Sequence, residues 1–252
     1  YKEYVYMEQI LTSESVNIGH PDKTCDYIAD CFLDEALSQD KNSQMAVECA
    51  IKSNHLFIYG EATTSAKINY SKIARDALKK IGYKQKFKIT KVITKQSPDI
   101  TNAVQKKKLC ANDQGVVFGY ATDESASFLP LTIEIANKIM RVYDDFRQTN
   151  PIFFPDAKSQ VWIKYVDGQP KNITTLLISV SHDEKLPFEE LQKIIKEKAV
   201  SLILNQYSKY VDDNTKILIN PSGKFTVWGS YGDSGCAVSY THLRAHETLS
   251  DV

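Results

Sequence analysis

Apolar residues recur at helical spacing in four stretches of the chain, and short alternating or continuous apolar runs lie between them. The first stretch predicts a helix over 21–38. Proline stands at its first position, acids lie in its first turn, and Ile28, Ala29, Phe32, Leu33, Ala36 and Leu37 form one stripe. Strands are expected over 45–52 and 56–61, separated by the Ser53-Asn54 turn signal. A helix over 71–81 places Ile73, Ala74, Ala77, Leu78 and Ile81 inward and stops at Gly82, which can take a left-handed cap. A strand over 87–94, partly alternating with lysine, closes this pass.

A second pass begins near Pro130, with Ile133, Ala136, Ile139, Met140, Tyr143 and Phe146 at helical spacing. Strands over 160–166 and 173–181 are joined by Asp167-Gly168, a strong hairpin signal. Pro187 opens a helix with Leu191, Ile194, Ile195 and Val200 inward, and a last strand starts at Lys216. The order helix, strand, strand, helix, strand thus occurs twice, offset by roughly 110 residues, which predicts two related domains of an α/β (α+β) fold. Between the passes, 95–112 is polar, contains Pro98 and the run Lys106 to Lys108, and reads as a long connection of the kind that forms lids.

Composition narrows the function classes. A chain of 252 residues, 42% hydrophobic and 25% charged, can bury one large core or two modest ones. Lys plus Arg equals Asp plus Glu at 31 each, so no overall basic field exists to hold nucleic acid. No apolar run approaches the roughly 20 residues of a membrane span, and the N-terminus carries no signal-peptide core, so a soluble cytoplasmic protein is expected. Five scattered cysteines without a C-x-x-C pair read as buried reduced thiols. Residue 1 is tyrosine, and the sequence is read as a fragment.

The sharpest local feature is Thr12-Ser13-Glu14-Ser15-Val16 followed by Gly19-His20-Pro21-Asp22-Lys23 at the mouth of the first helix. Free amide donors and the positive end of the helix dipole favour an anion there. His20 could face a phosphate, Asp22 a divalent cation, and Lys23 could add charge; equally, Asp22 could merely complement the dipole and His20 be a satisfied loop histidine. Glu48 and Glu61 sit in strands, where a carboxylate is costly unless a cation or ligand meets it, or unless it points to solvent from the alternate face. Asp156, Lys158 and Asp113 carry the same ambiguity. No P-loop, no G-x-G-x-x-G and no G-x-S-x-G is present.

Together these stretches resemble the S-adenosylmethionine synthetase (methionine adenosyltransferase) family. Besides the two segments above, the resemblance rests on Gly60-Glu61-Ala62-Thr63-Thr64, Lys95-Gln96-Ser97-Pro98-Asp99-Ile100, Asp113-Gln114-Gly115 and Phe118-Gly119-Tyr120-Ala121-Thr122. It continues through Asp156-Ala157-Lys158-Ser159-Gln160-Val161, Ile219-Asn220-Pro221-Ser222-Gly223 and Gly232-Asp233-Ser234-Gly235.

The resemblance implies an N-terminal domain over 8–104, a central domain over 110–232, and a reaction of ATP with L-methionine. Sulfur attacks C5′ of the ribose and displaces the triphosphate, which is cleaved to phosphate and diphosphate. By similarity His20 and Lys158 act on the triphosphate, and Lys23, Asp156, Ala157, Lys224, Phe225 and Asp233 also belong to the ATP set. Glu61, Gln96 and Asp233 match methionine positions, Asp22 a Mg2+ ligand and Glu48 a K+ ligand. The family implies a homodimer or homotetramer whose site lies at the subunit interface, and a gating loop from Gln96 to about Lys106.

Departures from the family pattern are Gly223-Lys224-Phe225 in place of Gly-Arg-Phe, which trades a planar fork for a point charge, and Cys110-Ala111-Asn112 in place of Gly-Ala-Gly. After Gly235 the expected basic residues and third domain are replaced by a segment, 236–252, that resembles translated sequencing-adapter DNA and is read as non-native. His242 and His246 in it stand four apart, but a metal pair there is rejected. The natural full-length enzyme is expected to be active and this literal chain inactive. The alternatives are a non-catalytic nucleotide- or phosphate-binding relative, a regulatory subunit, or a structural interaction module.

Overall fold

The computed structural model describes residues 7–95 and 119–237, and their apolar faces are buried in two separate units. One unit takes its described residues from 21–119 and 230–252, the other from 1–20 and 120–229.

In the first of these units, α1 (Pro21–Gln39) starts with proline at N1 and Asp22 in its first turn. It buries Pro21, Thr24, Cys25, Ile28, Phe32 and Ala36 against β2 (Gln44–Lys52) and α2 (Tyr70–Ile81). This corrects the expected stripe. Leu33 and Leu37 are 38% and 39% exposed, because the apolar arc spans two adjacent rows and only the row through Ile28, Phe32 and Ala36 meets the sheet. The hairpin from β2 to β3 (His55–Thr63) turns at Ser53, with φ of 50°. α2 then carries the chain over to β4 (Lys88–Thr94), which lies parallel to β3, as a crossover helix permits. Asn69 caps α2 by accepting the Lys72 amide at 3.1 Å, so the helix begins at Tyr70, one residue before the expected start. Gly82 ends it at φ 125°, donating to the carbonyls of Leu78 and Lys79 as its position predicted.

The other unit repeats this order. α3 (Leu131–Gln148) packs on β5 (Phe153–Val166), and β5 pairs antiparallel with β6 (Gln169–His182). Asp167 and Gly168 at the apex take φ of 51° and 75°, the signature of a type I′ turn. Helix α4 (Phe188–Ile195) runs through a π turn (Lys196–Val200) into α5 (Ser201–Gln206), which returns the chain to β7 (Lys216–Ile219), parallel to β6. Ile135, Ile139, Tyr143, Val161, Ile163, Leu176, Ile178 and Leu191 are among its core residues.

Each sheet also has a fourth strand from a distant part of the chain. β1 (Glu8–Val16) pairs antiparallel with β5, giving the order β1-β5-β6-β7. β8 (Ser234–Cys236) pairs antiparallel with β2, giving β4-β3-β2-β8. Neither was expected: β1 is polar at four consecutive positions, Thr12 to Ser15, and β8 spans three residues. Of the segment read as non-native, Cys236 and Ala237 are described; their amides bond to Asp22 Oδ1 at 3.1 Å and the Cys49 carbonyl at 2.7 Å. β5 begins seven residues earlier than expected, at Phe153 rather than 160, because a register shift between Phe153 and Ala157 breaks the period-two pattern. The connection expected over 95–112 lies, after Lys95, outside the described residues.

Two predictions arise here. Burial pushes the Cys49 thiol up to about 12 and the Cys25 thiol further still, with neighbouring negative groups adding to both. Cys25 and Cys49 will therefore resist a maleimide in the native protein and react only as fast as the unit unfolds. Peptide mass spectrometry that found either labelled as quickly as exposed Cys236 would refute the packing. Asp30 is raised above the usual carboxylate range by partial burial and then by Asp26 and Asp34, one helical turn to either side. A raised carboxyl weakens the fold while ionised and is relieved as pH falls through its folded value. Asp30→Asn should add about 0.5 kcal/mol to urea stability near pH 7, with the two proteins converging near pH 3.

Candidate functional site

The loop after β1 is laid directly on the start of β5. The Asn17 amide donates to the Ala157 carbonyl and the Gly19 amide to the Pro155 carbonyl, both at 2.9 Å. The His20 amide closes the turn on the Asn17 carbonyl at 2.9 Å. Gly19 passes so close that a Cβ there would lie 2.5 Å from the Pro155 carbonyl carbon and 2.7 Å from the Asp156 nitrogen. Close approach of two backbones, rather than an unusual φ, is what requires glycine. The consequence is that the backbone at half-buried His20 lies beside the Asp156-Ala157-Lys158 run.

Residues 220–229 are tied at three points, two on the end of β6 and one on the start of β5. Asn220, at φ 45°, uses its side-chain amide as a strand would: Oδ1 accepts the Val180 amide at 2.8 Å and Nδ2 donates to the Val180 carbonyl at 2.9 Å. Phe225 exchanges bonds with His182, its carbonyl accepting the His182 amide at 2.9 Å and its amide donating to His182 Nε2 at 3.2 Å. The Gly229 amide donates to Asp156 Oδ2 at 2.7 Å. The Trp228 ring lies 5.8 Å from that of Phe154. Ser181 Oγ donates to the Asp156 carbonyl at 2.6 Å, locking the bulged end of β5 to β6.

His20, Asp156, Ala157, Lys158, Lys224 and Phe225 are thereby gathered within one unit. The Asp156 carboxylate is buried, and one of its oxygens anchors the Gly229 amide. Lys158 pairs with Glu14 at 2.8 Å across β5 and β1, with both side chains about half exposed. Such a surface pair is worth about 0–1 kcal/mol, so a phosphate would displace Glu14 at little cost. Lys224 is exposed.

The other predicted residues fall in the other unit. Asp22 in the first turn of α1 accepts the Cys236 amide, Lys23 beside it is exposed, and Asp233 accepts the Ser234 amide at 2.7 Å. Glu48 and Glu61 share the sheet face opposite Cys49 and Ile58: Glu48 pairs with Tyr59 and Ala46 with Glu61, so the carboxylates are diagonal neighbours. Glu48 is half-buried and Glu61 exposed, so neither is sealed in the core. Among the described residues no three His, Cys, Asp or Glu side chains converge as a ready metal cage. That donor set suits a hard cation bound through one carboxylate, with water and phosphate oxygens completing the shell, and does not suit an all-protein site. Gln96 and Asp113 lie outside the described residues.

Sequence reasoning missed His182 as a contributor and gave Asn220 and Glu14 no roles. Asn-Pro-Ser-Gly was legible as a turn signal, but His182 stands alone at a strand end with no spacing to mark it.

Comparison with known proteins gives the family. Residues 8–108 match the family model described as S-adenosylmethionine synthetase, N-terminal domain, and residues 108–225 match S-adenosylmethionine synthetase, central domain. The chain belongs to the S-adenosylmethionine synthetase family. It is 41% identical over 241 residues to the S-adenosylmethionine synthase of Mesoplasma florum, covering 91% of this chain and 63% of the relative. It is 42% identical over 242 residues to that of Mycoplasma mycoides subsp. mycoides and 40% identical to that of Desulfosudis oleivorans, in each case over 90% of this chain and 62% of the relative. The chain thus spans somewhat less than two thirds of the length of these relatives. Among the described residues no helix is long and apolar enough to cross a membrane.

Proposed function

We propose that the full-length protein to which this chain belongs joins ATP to L-methionine, forming S-adenosylmethionine, phosphate and diphosphate in the cytoplasm. The observation that supports this reading is that the Asn17–His20 loop bonds to Pro155 and Ala157 while the 220–229 segment bonds to Val180, His182 and Asp156 on the paired ends of β5 and β6, so that His20, Asp156, Ala157, Lys158, Lys224 and Phe225 belong to one unit. Family membership and relatives named S-adenosylmethionine synthase support it.

The chemistry asks for alignment and charge neutralisation more than for proton transfer. Displacement at C5′ needs sulfur, carbon and leaving oxygen in line, and the departing triphosphate carries several negative charges into a site that must exclude water. His20 would hydrogen-bond the triphosphate near the breaking bond, with Lys158 and Lys23 supplying cationic donors once Lys158 leaves Glu14. Lys224 and Phe225 would bear on the nucleoside, and Asp156 would act chiefly by holding the Gly229 backbone. Glu61, Gln96 and Asp233 would orient methionine. Asp22 would hold Mg2+ and Glu48 K+; these cations, when bound, neutralise phosphate charge and stiffen the site. One cation 4 Å from a phosphate charge is worth on the order of 4 kcal/mol at an effective dielectric of 20, before desolvation is subtracted. The full-length protein would work as a homodimer or homotetramer.

The test is product formation. The full-length protein incubated with ATP, L-methionine, Mg2+ and K+ should yield equal amounts of S-adenosylmethionine, phosphate and diphosphate by liquid chromatography. ATP binding without product would favour the non-catalytic relative, and neither binding nor product would remove the nucleotide reading altogether.

A further inference from the structure

We propose that His182 is a positioning residue for the nucleotide: its neutral imidazole fixes the backbone of Lys224 and Phe225 in the conformation that meets ATP. This rests on reading those two residues as the nucleoside contacts.

His182 closes β6, and the residue is 1% exposed. Both ring nitrogens are engaged. Nε2 faces the Phe225 amide at 3.2 Å, and because an amide can only donate, Nε2 must offer its lone pair. The ring proton therefore belongs on Nδ1, which donates to the Asp183 carbonyl at 2.9 Å. The His182 amide simultaneously donates to the Phe225 carbonyl. Both main-chain polar groups of Phe225 thus end on one residue, and half of that clasp is a side chain doing what a neighbouring strand's carbonyl does elsewhere.

The location makes the clasp specific to the segment that carries Lys224 and Phe225. Asn220 fixes the segment's entrance on Val180 and Asp156 its exit on Gly229, while His182 holds the span between. On the other side of β6, His182 pairs with Phe153, so the ring extends the sheet by one rung toward Phe225. A buried imidazole is costly unless both nitrogens are used, and an apolar residue would fill the same volume without that cost. What the histidine adds is an acceptor aimed at the Phe225 amide.

The experiment compares two substitutions in the full-length protein. His182→Gln puts an acceptor at the reach of Nε2; His182→Asn keeps a donor where Nδ1 stands and is too short to reach Phe225. His182→Asn should raise KM for ATP about tenfold, the worth of one lost hydrogen bond to a positioned segment, with KM for methionine and kcat within about twofold. His182→Gln should return KM for ATP to within about threefold of wild type, although both variants lose similar thermal stability. Equal KM for ATP in the two variants, or KM for methionine rising in step, would overturn the proposal.

A second measurement needs no variant. The Phe225 amide of the nucleotide-free protein should show hydrogen-exchange protection like its strand neighbours, and exchange at open-loop rates would overturn the proposal as well. If the wild-type protein neither binds ATP nor forms product, the functional reading itself has failed. If the wild type is active and the variants match each other, only the role of His182 has.

Discussion

Asn220→Ala should destabilise its unit by about 3–5 kcal/mol in urea unfolding, the largest effect expected of any single polar substitution here. The residue is 1% exposed, and Val180, to which it is tied twice, is completely buried. Truncation leaves the amide and the carbonyl of Val180 without partners in a place water does not reach, at about 1–3 kcal/mol for each group. It also puts alanine at φ 45°, at a further cost of about 1 kcal/mol. Asn220→Gly should recover only that last part, since glycine accepts the backbone but offers no amide. Asn220→Asp should do no better than alanine, because its second carboxylate oxygen would face the Val180 carbonyl. A loss below about 1 kcal/mol for alanine would mean that the amide does not stand in for a strand.

Gly19→Ala should be comparably severe, at about 3 kcal/mol or more, for a reason of shape. The new methyl would collide with the main chain of Pro155 and Asp156, neither of which can swing aside as a side-chain tip can. The loop must lift, breaking the bonds from Asn17 to Ala157 and from Gly19 to Pro155, and His20 moves with it. If the full-length protein has the proposed activity, kcat/KM should fall by at least about 100-fold even where folded protein is recovered, because misplacement of a substrate-contacting group by about 1 Å costs that much. Gly168→Ala is the control. It changes a glycine at φ 75° with open space around the added carbon, so it should cost about 1 kcal/mol of stability and leave activity intact. Similar activity in the two variants would show that the loop yields more easily than its packing implies.

Much of this architecture was written in periodicity. α2 with its glycine stop, the hairpins at Ser53 and Asp167-Gly168, and the repeated order of elements all follow from local patterns of one turn or one strand. What escaped was set by contacts far along the chain. Thr12 to Ser15 have no apolar rhythm, and they form a strand because β5 offers them an antiparallel edge about 145 residues later. The first turns of β5 hid behind a bulge. The candidate residues His20, Asp22, Asp156 and Lys158 stood out as motifs, and their residue types suggested anion and cation chemistry. Their supports were not, since Asn220 and His182 act through bonds to Val180 and Phe225 that no spacing rule encodes.

The borrowed fourth strands govern how the gene can be divided. A clone cut near its middle would strip β1 from β5 in one product and β8 from β2 in the other, leaving each fragment with a raw hydrogen-bonding margin prone to self-association. A permuted gene that splices 7–20 directly ahead of 120–229 would keep its sheet whole, so the autonomous piece of this protein is one that ordinary deletion cloning never makes.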